Sequence, residues 1–193
     1  MMNPYEILVN KENPVPEDFL EYVELVPVKG TKDRLFQIER ETLAAYESLR
    51  DFVKDKTGVI IGVGNAYRSI EQQQMIYERF CWEFGPAYAN KIVAPVGRSE
   101  HHTGLGVDLE LFFEGEGFIS NNHNFDRISA VFEKHVHPHL ADFGFILRYP
   151  EGKEHITGVK YEPWHYRYVG KEAAKEIMSG NLCLEEYLEK YQK

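Results

Sequence analysis

The sequence predicts an α+β fold: one domain of 193 residues in which an antiparallel sheet is flanked by helices. Three observations predict it. Strand-like and helix-like stretches follow one another irregularly, which disfavours a parallel, doubly wound sheet. Phe145–Arg148 and Lys160–Val169 read as neighbouring antiparallel strands, separated by a turn around Glu151-Gly152-Lys153. Hydrophobic residues make up 43% of the chain, enough for a sizeable single core. No repeat or low-complexity linker divides the sequence, so 1–33 is taken as an N-terminal arm and 34–193 as the core of one unit.

Each element has its own signal. Glu6–Val9 reads as a short strand and Pro14-Val15-Pro16 as an extended segment. Leu35, Ile38, Leu43, Leu49, Phe52 and Val53 approximate helical spacing over Arg34–Lys56, and Gly58 ends that helix. The β-branched Val59–Val63 reads as a buried strand. Ser69 with Gln72 forms a capping-box pattern that opens a helix running to Phe84, before Gly85-Pro86. Val107–Phe113 alternates as a strand, and Glu114–Gly117 reads as an acidic turn. Phe125–Phe143 reads as a helix interrupted near Pro138, and two short helices close the chain.

Charge narrows the function. With 22 basic and 31 acidic residues the net charge is -9, which argues against a nucleic-acid partner and against attraction to anionic membranes. No apolar run approaches the ~20 residues of a membrane span. The start lacks the basic and apolar regions of a signal peptide, so a cytoplasmic protein is expected. The alternative is an extracellular protein held by an anchor outside this sequence. Cys81 and Cys183, far apart and without metal-ligand spacing, read as reduced structural cysteines.

The chemistry concentrates in two segments. Ser99-Glu100-His101-His102-Thr103-Gly104-Leu105-Gly106-Val107-Asp108 is followed further along by Glu162-Pro163-Trp164-His165. Imidazoles and a carboxylate from these segments would leave a fourth position open on one ion, the arrangement of a catalytic zinc site. His101, Asp108 and His165 are the expected ligands, and Glu162 is the expected general base. On a regular strand, residues three apart point to opposite faces. Glu162 and His165 therefore need a turn, bulge or strand edge between them to face one ion.

The first segment resembles the Ser-x-His-x-x-Gly-x-Ala-x-Asp pattern of the VanY, VanX and VanXY type D-alanyl-D-alanine carboxypeptidases and dipeptidases, of the hedgehog/D,D-peptidase fold. Glu162-Pro163-Trp164-His165-Tyr166-Arg167 is similar to their second motif, while Tyr67-Arg68-Ser69 with Gln73 and Gly144–Pro150 fit the same family. The spacing of that pattern selects His101 over His102 as ligand. Gly106 departs from it, standing where the family usually has Ala.

The resemblance implies one Zn2+ per chain and cleavage of a D-Ala-terminated peptide or peptidoglycan precursor by a D,D-carboxypeptidase. It implies that Arg68 meets the substrate or stabilises the oxyanion, a role suited to a permanently charged guanidinium. Gln73 and Ser99 are candidates for gripping the terminal carboxylate, Tyr149 for lining the cleft, and Trp164 for packing that orients His165. The alternatives are a D-Ala-D-Ala dipeptidase or bifunctional enzyme, an L,D-carboxypeptidase, and a non-catalytic peptidoglycan-binding module. Oligomeric state stays open. His135, His137 and His139 are read as a solvated helix end, and Gly62-Val63-Gly64 lacks the third glycine of a dinucleotide loop.

Overall fold

The alternation of strand side chains explains where the core ends and the site begins. In β4 (Gly106–Phe113) Val107, Leu109 and Leu111 are buried against the main core, whereas Gly106, Asp108 and Glu110 point to the other face. Tyr166 of β7 (His165–Tyr168) joins the same core, which leaves His165 and Arg167 beside Asp108 on the opposite face. These positions come from a computed structural model, which describes residues 3–120 and 124–191.

In chain order the elements are β1 (Leu25–Lys29), β2 (Leu35–Glu39), α1 (Arg40–Thr57), β3 (Ile61–Asn65), α2 (Ile70–Phe84) and α3 (Pro86–Ile92). After β4 come β5 (Gly117–Ile119), α4 (Phe125–His135), β6 (Phe145–Leu147), α5 (Glu154–Thr157), β7, α6 (Lys171–Ser179) and α7 (Leu184–Tyr191). Strands β3-β4-β7-β6 form an antiparallel sheet with β5 paired to β4, and β1-β2 is a separate hairpin. Helices α1 and α4 supply Leu49, Val53, Ile128 and Phe132 to the main core. A second cluster packs Ile146 of β6 against Ala174 and Ile177 of α6 and Leu184 and Leu188 of α7. This is the expected α+β fold with an antiparallel sheet flanked by helices.

Several elements differ from the sequence reading. Glu6–Val9 is not a strand: Pro4–Glu6 forms a 3-10 turn capped by Asn3, and Val9 is simply buried. The first long helix begins at Arg40, not Arg34, because Leu35–Glu39 pairs with Leu25–Lys29 as the hairpin. Helix α1 is capped by the Glu39 carboxylate, which accepts from Glu41 N and Thr42 N. Glutamate lies outside the usual N-cap set, so the start carried no familiar signal. The hairpin also spans the expected boundary between an arm ending at 33 and a core starting at 34.

Ser69 and Gln72 form the full capping box that opens α2. The Phe125–Phe143 segment breaks as expected: α4 ends at His135, and His137–Phe143 continues as a 3-10 turn around Pro138. The expected strand Lys160–Val169 shrinks to β7, because a turn occupies Pro163-Trp164. Among the described residues no helix is long and apolar enough to cross a membrane. Neither Cys81 nor Cys183 is disulfide-bonded.

Candidate metal centre and active site

Antiparallel pairing sets Asp108 directly opposite His165. Asp108 Oδ1 lies 2.8 Å from His165 Nδ1, and Asp108 Oδ2 lies 3.3 Å from His101 Nε2. His101 arrives from the short 3-10 turn Glu100–Thr103 that precedes β4. Its Nδ1 donates to the Ala66 carbonyl at 2.8 Å, which leaves the Nε2 lone pair directed at Asp108. One ligand atom from each of the three residues lies within 4.8 Å of the others. His102 turns away, with Nδ1 2.7 Å from the Arg68 carbonyl.

Gly104 provides the turn between these ligands. Its φ is 70°, and a Cβ there would stand 2.6 Å from Leu25 Cδ2 and 3.2 Å from Glu39 N. Gly106 has no such need, since an added Cβ would sit 3.5 Å from Glu100 and from His165 Cε1, in ordinary contact. The alanine of the family pattern therefore fits this site.

Glu162 and His165 reach one centre through a turn. His165 N donates to Glu162 O at 3.2 Å across Pro163-Trp164, closing a four-residue turn. The chain folds back before β7 begins, and Glu162 Oε2 comes to 4.0 Å from His165 Nδ1. The Pro163 carbonyl accepts from Tyr166 Oη at 2.6 Å and from His137 Nε2 at 2.9 Å, which pins the turn. His137 is thus no solvated helix end: its ring packs against Phe132 and Tyr166, while His139 packs against Phe52.

Eight of the nine side chains proposed from the sequence line one cavity of about 230 Å³: Arg68, Ser99, His101, Asp108, Tyr149, Glu162, Trp164 and His165. Gln73 does not line it. Fully buried in α2, Gln73 accepts from Arg68 Nη1 at 2.7 Å and donates to the Ala94 carbonyl at 2.6 Å, so it holds the arginine in place. Ser99 is buried and its hydroxyl makes no helix-cap bond. The Tyr149 ring lies 4.8 Å from that of His165, whereas Trp164 meets Phe125 edge-on. Tyr149 rather than Trp164 therefore packs on the candidate ligand. A groove of about 370 Å³ adjoins the cavity, with Arg68 and Ile76 lining both.

Electrostatics set the protonation states. Burial pushes the Glu162 carboxyl up to about 7. Burial also opposes ionisation of Asp108, yet the two imidazoles hold it well below the usual carboxylate range. Burial opposes a charge on His165 as well, but Asp108 and Glu100 outweigh it and raise its pKa to about 9.

Four residues beside the site escaped the sequence reading. Asn65, at the end of β3, donates from Nδ2 to Asp108 Oδ2 at 3.3 Å. Glu100 is buried with Arg148 and Arg167; burial alone would raise its carboxyl, but the two guanidiniums hold it below its ordinary range. Glu100 stands inside the first motif and Arg148 beside Tyr149, but a role for buried charges needs the fold that pairs them.

The family described as VanY, D-alanyl-D-alanine carboxypeptidase, matches residues 36–171. The chain belongs to the VanY family. A D-alanyl-D-alanine carboxypeptidase of Enterococcus faecalis is 37% identical over 193 residues, covering 94% of this chain and 65% of that protein. The chain thus spans about two thirds of that relative's length. The structure of VanYB in complex with D-alanine-D-alanine superposes with a TM-score of 0.78 at 35% identity, over 97% of this chain and 98% of that one. VanY from a VanB-type resistance cassette in complex with Zn(II) gives 0.77 at 35% identity, over 96% and 99%. The LD-carboxypeptidase LdcB gives 0.75 at 34% identity, over 98% and 88%.

The donor set of this VanY-family chain fits zinc. Two imidazoles and one carboxylate converge in a cavity with room for further ligands, and no thiolate closes the site.

Proposed function

We propose that the chain is a zinc-dependent D,D-carboxypeptidase that removes the terminal D-Ala from peptidoglycan precursors or stem peptides. The observation that carries this reading is the convergence of His101, Asp108 and His165 in one cavity with Glu162 and Arg68. His101 Nε2, a carboxylate oxygen of Asp108 and His165 Nδ1 would hold the ion. When bound, zinc supplies Lewis acidity, lowering the pKa of water towards ~7 and polarising the scissile carbonyl.

The chain's own residues do the rest. The Glu162 carboxylate takes a proton from the attacking water and later delivers it to the leaving D-Ala amine. Its raised pKa suits that exchange, because a base poised near working pH both accepts and returns a proton. Arg68, tethered by Gln73, presents fixed positive charge to the developing oxyanion or to the terminal carboxylate. Ser99 supplies a hydroxyl on the same wall. Tyr149 packs on His165 and limits its rotation.

A cytoplasmic setting belongs to this reading, with an extracellular, membrane-anchored protein as its alternative. The deciding experiment is mass analysis of products from a D-Ala-D-Ala-ended pentapeptide, the matching tetrapeptide and free D-Ala-D-Ala. Release of one D-Ala from the pentapeptide, with the other two intact, is the expected result. Cleavage of the free dipeptide would make it a dipeptidase or bifunctional enzyme, and cleavage of the tetrapeptide an L,D-carboxypeptidase like LdcB. No cleavage of any would leave a binding module.

A further inference from the structure

Glu100 is only 2% exposed and directly precedes the candidate ligand His101. Its Oε1 accepts from Arg148 Nε at 2.7 Å and Arg167 Nη1 at 2.9 Å. Its Oε2 has no hydrogen-bond partner among the described residues, and neither has His165 Nε2. The two atoms face each other 3.8 Å apart. Buried polar atoms are rarely left unpaired, so an acceptor and a ring nitrogen placed this way are a pair awaiting closure. If His165 offers Nδ1 to an ion, its proton resides on Nε2, and Glu100 is the acceptor that Nε2 faces. A carboxylate on the far ring nitrogen fixes the tautomer, aims the ring and raises ligand basicity.

Both arginines that hold Glu100 are anchored by the ends of the chain. Arg148 donates Nη1 and Nη2 to Glu185 of α7, at 2.9 Å and 2.7 Å. Arg167 Nη2 donates to the carbonyls of Tyr5, at 3.2 Å, and Ile7, at 2.8 Å. Tyr5, Ile7 and Glu185 all lie outside residues 36–171, the stretch matched by the family.

We propose that Glu100 is the positioning residue for His165, and that the N-terminal segment Tyr5–Ile7 and helix α7 brace the metal centre through Arg167 and Arg148. The inference rests on the zinc reading above. A purely structural network would change thermal stability and leave the ion's surroundings untouched. The positioning role makes the ion itself report the change.

Glu100→Asp keeps a carboxylate for both arginines but withdraws it from His165 by one methylene. Glu185→Gln loosens the outer anchor without touching Glu100. Zinc affinity by chelator competition, and the visible spectrum of the cobalt(II)-loaded protein, are read where circular dichroism shows each variant folded. Glu100→Asp should weaken zinc binding by roughly 10–100-fold and alter the cobalt spectrum. Glu185→Gln should weaken it in the same direction by less. Zinc affinity within twofold of wild type and an unaltered cobalt spectrum in Glu100→Asp overturn the proposal. Should Glu100→Asp not fold, an unchanged affinity in Glu185→Gln overturns it. A wild-type protein that binds no zinc would defeat the zinc reading first, so the two failures are distinguishable.

Discussion

Asp108 Oδ1 stands 2.8 Å from His165 Nδ1 because β4 and β7 pair with these residues directly opposite. A slip of one residue in that register would carry His165 to the core face, where Tyr166 now packs. The candidate centre is therefore as rigid as the sheet, and the burial of Val107, Leu109 and Tyr166 enforces it.

His101→Ala should abolish stoichiometric zinc binding, whereas His102→Ala should keep most of it. The reason is orientation: His101 Nε2 faces Asp108, while His102 bonds to the Arg68 carbonyl. Metal analysis of the two purified variants checks this, and metal loss only in His102→Ala would reverse the ligand assignment.

Glu162→Gln should retain zinc and lose turnover by ~10²–10⁴-fold, the usual contribution of a positioned general base. Its carboxylate lies 4.0 Å from His165 Nδ1 and stands outside the group of His101, Asp108 and His165 whose ligand atoms converge. Release of the metal by this variant would make Glu162 a ligand instead.

The metal-free protein should reveal Glu162 through its stability. Burial raises the carboxyl from 4.5 to about 7, so between these values the folded state binds more protons than the unfolded one. Stability then falls as pH rises through that window. Metal-free Glu162→Gln should be more stable than wild type at pH 8, and the gap should close by pH 4. Thermal unfolding of both proteins across this range measures it; parallel profiles would contradict it.

The two glycines of the first motif should behave oppositely. Gly106→Ala meets only ordinary contacts at 3.5 Å and should preserve activity while changing stability by no more than about 1 kcal/mol, in the stabilising direction. Gly104→Ala adds a Cβ 2.6 Å from Leu25 Cδ2 at a φ of 70° and should destabilise by more than that. Denaturant unfolding of the pair decides the point.

Substrate polarity should follow from Arg68. A terminal carboxylate pairs with its guanidinium, whereas an amidated C-terminus leaves buried donors unsatisfied, at ~1–3 kcal/mol each. The free-acid peptide should be cleaved far better than its amide. Gln73→Ala, which unties Arg68, should raise KM more than it lowers kcat. Equal cleavage of acid and amide would point to an endopeptidase.

The sequence by itself determined the family and its zinc chemistry, and it named the candidate ligands and base, because chemistry bound to fixed short spacings is legible without a fold. It also determined α2 and the break near Pro138, where a capping box and a proline act locally. Tertiary structure decided what depended on partners distant in the chain. The Leu35–Glu39 segment carries apolar residues compatible with a helix, and only pairing with Leu25–Lys29 makes it a strand. Lys160–Val169 looks like one strand until His137 and Tyr166 pin the Pro163 carbonyl and turn the chain before His165. Glu100, Arg148, Arg167 and Glu185 are ordinary charged residues in sequence, and they become one buried network beside the site only because folding brings them together and burial forces opposite charges to pair.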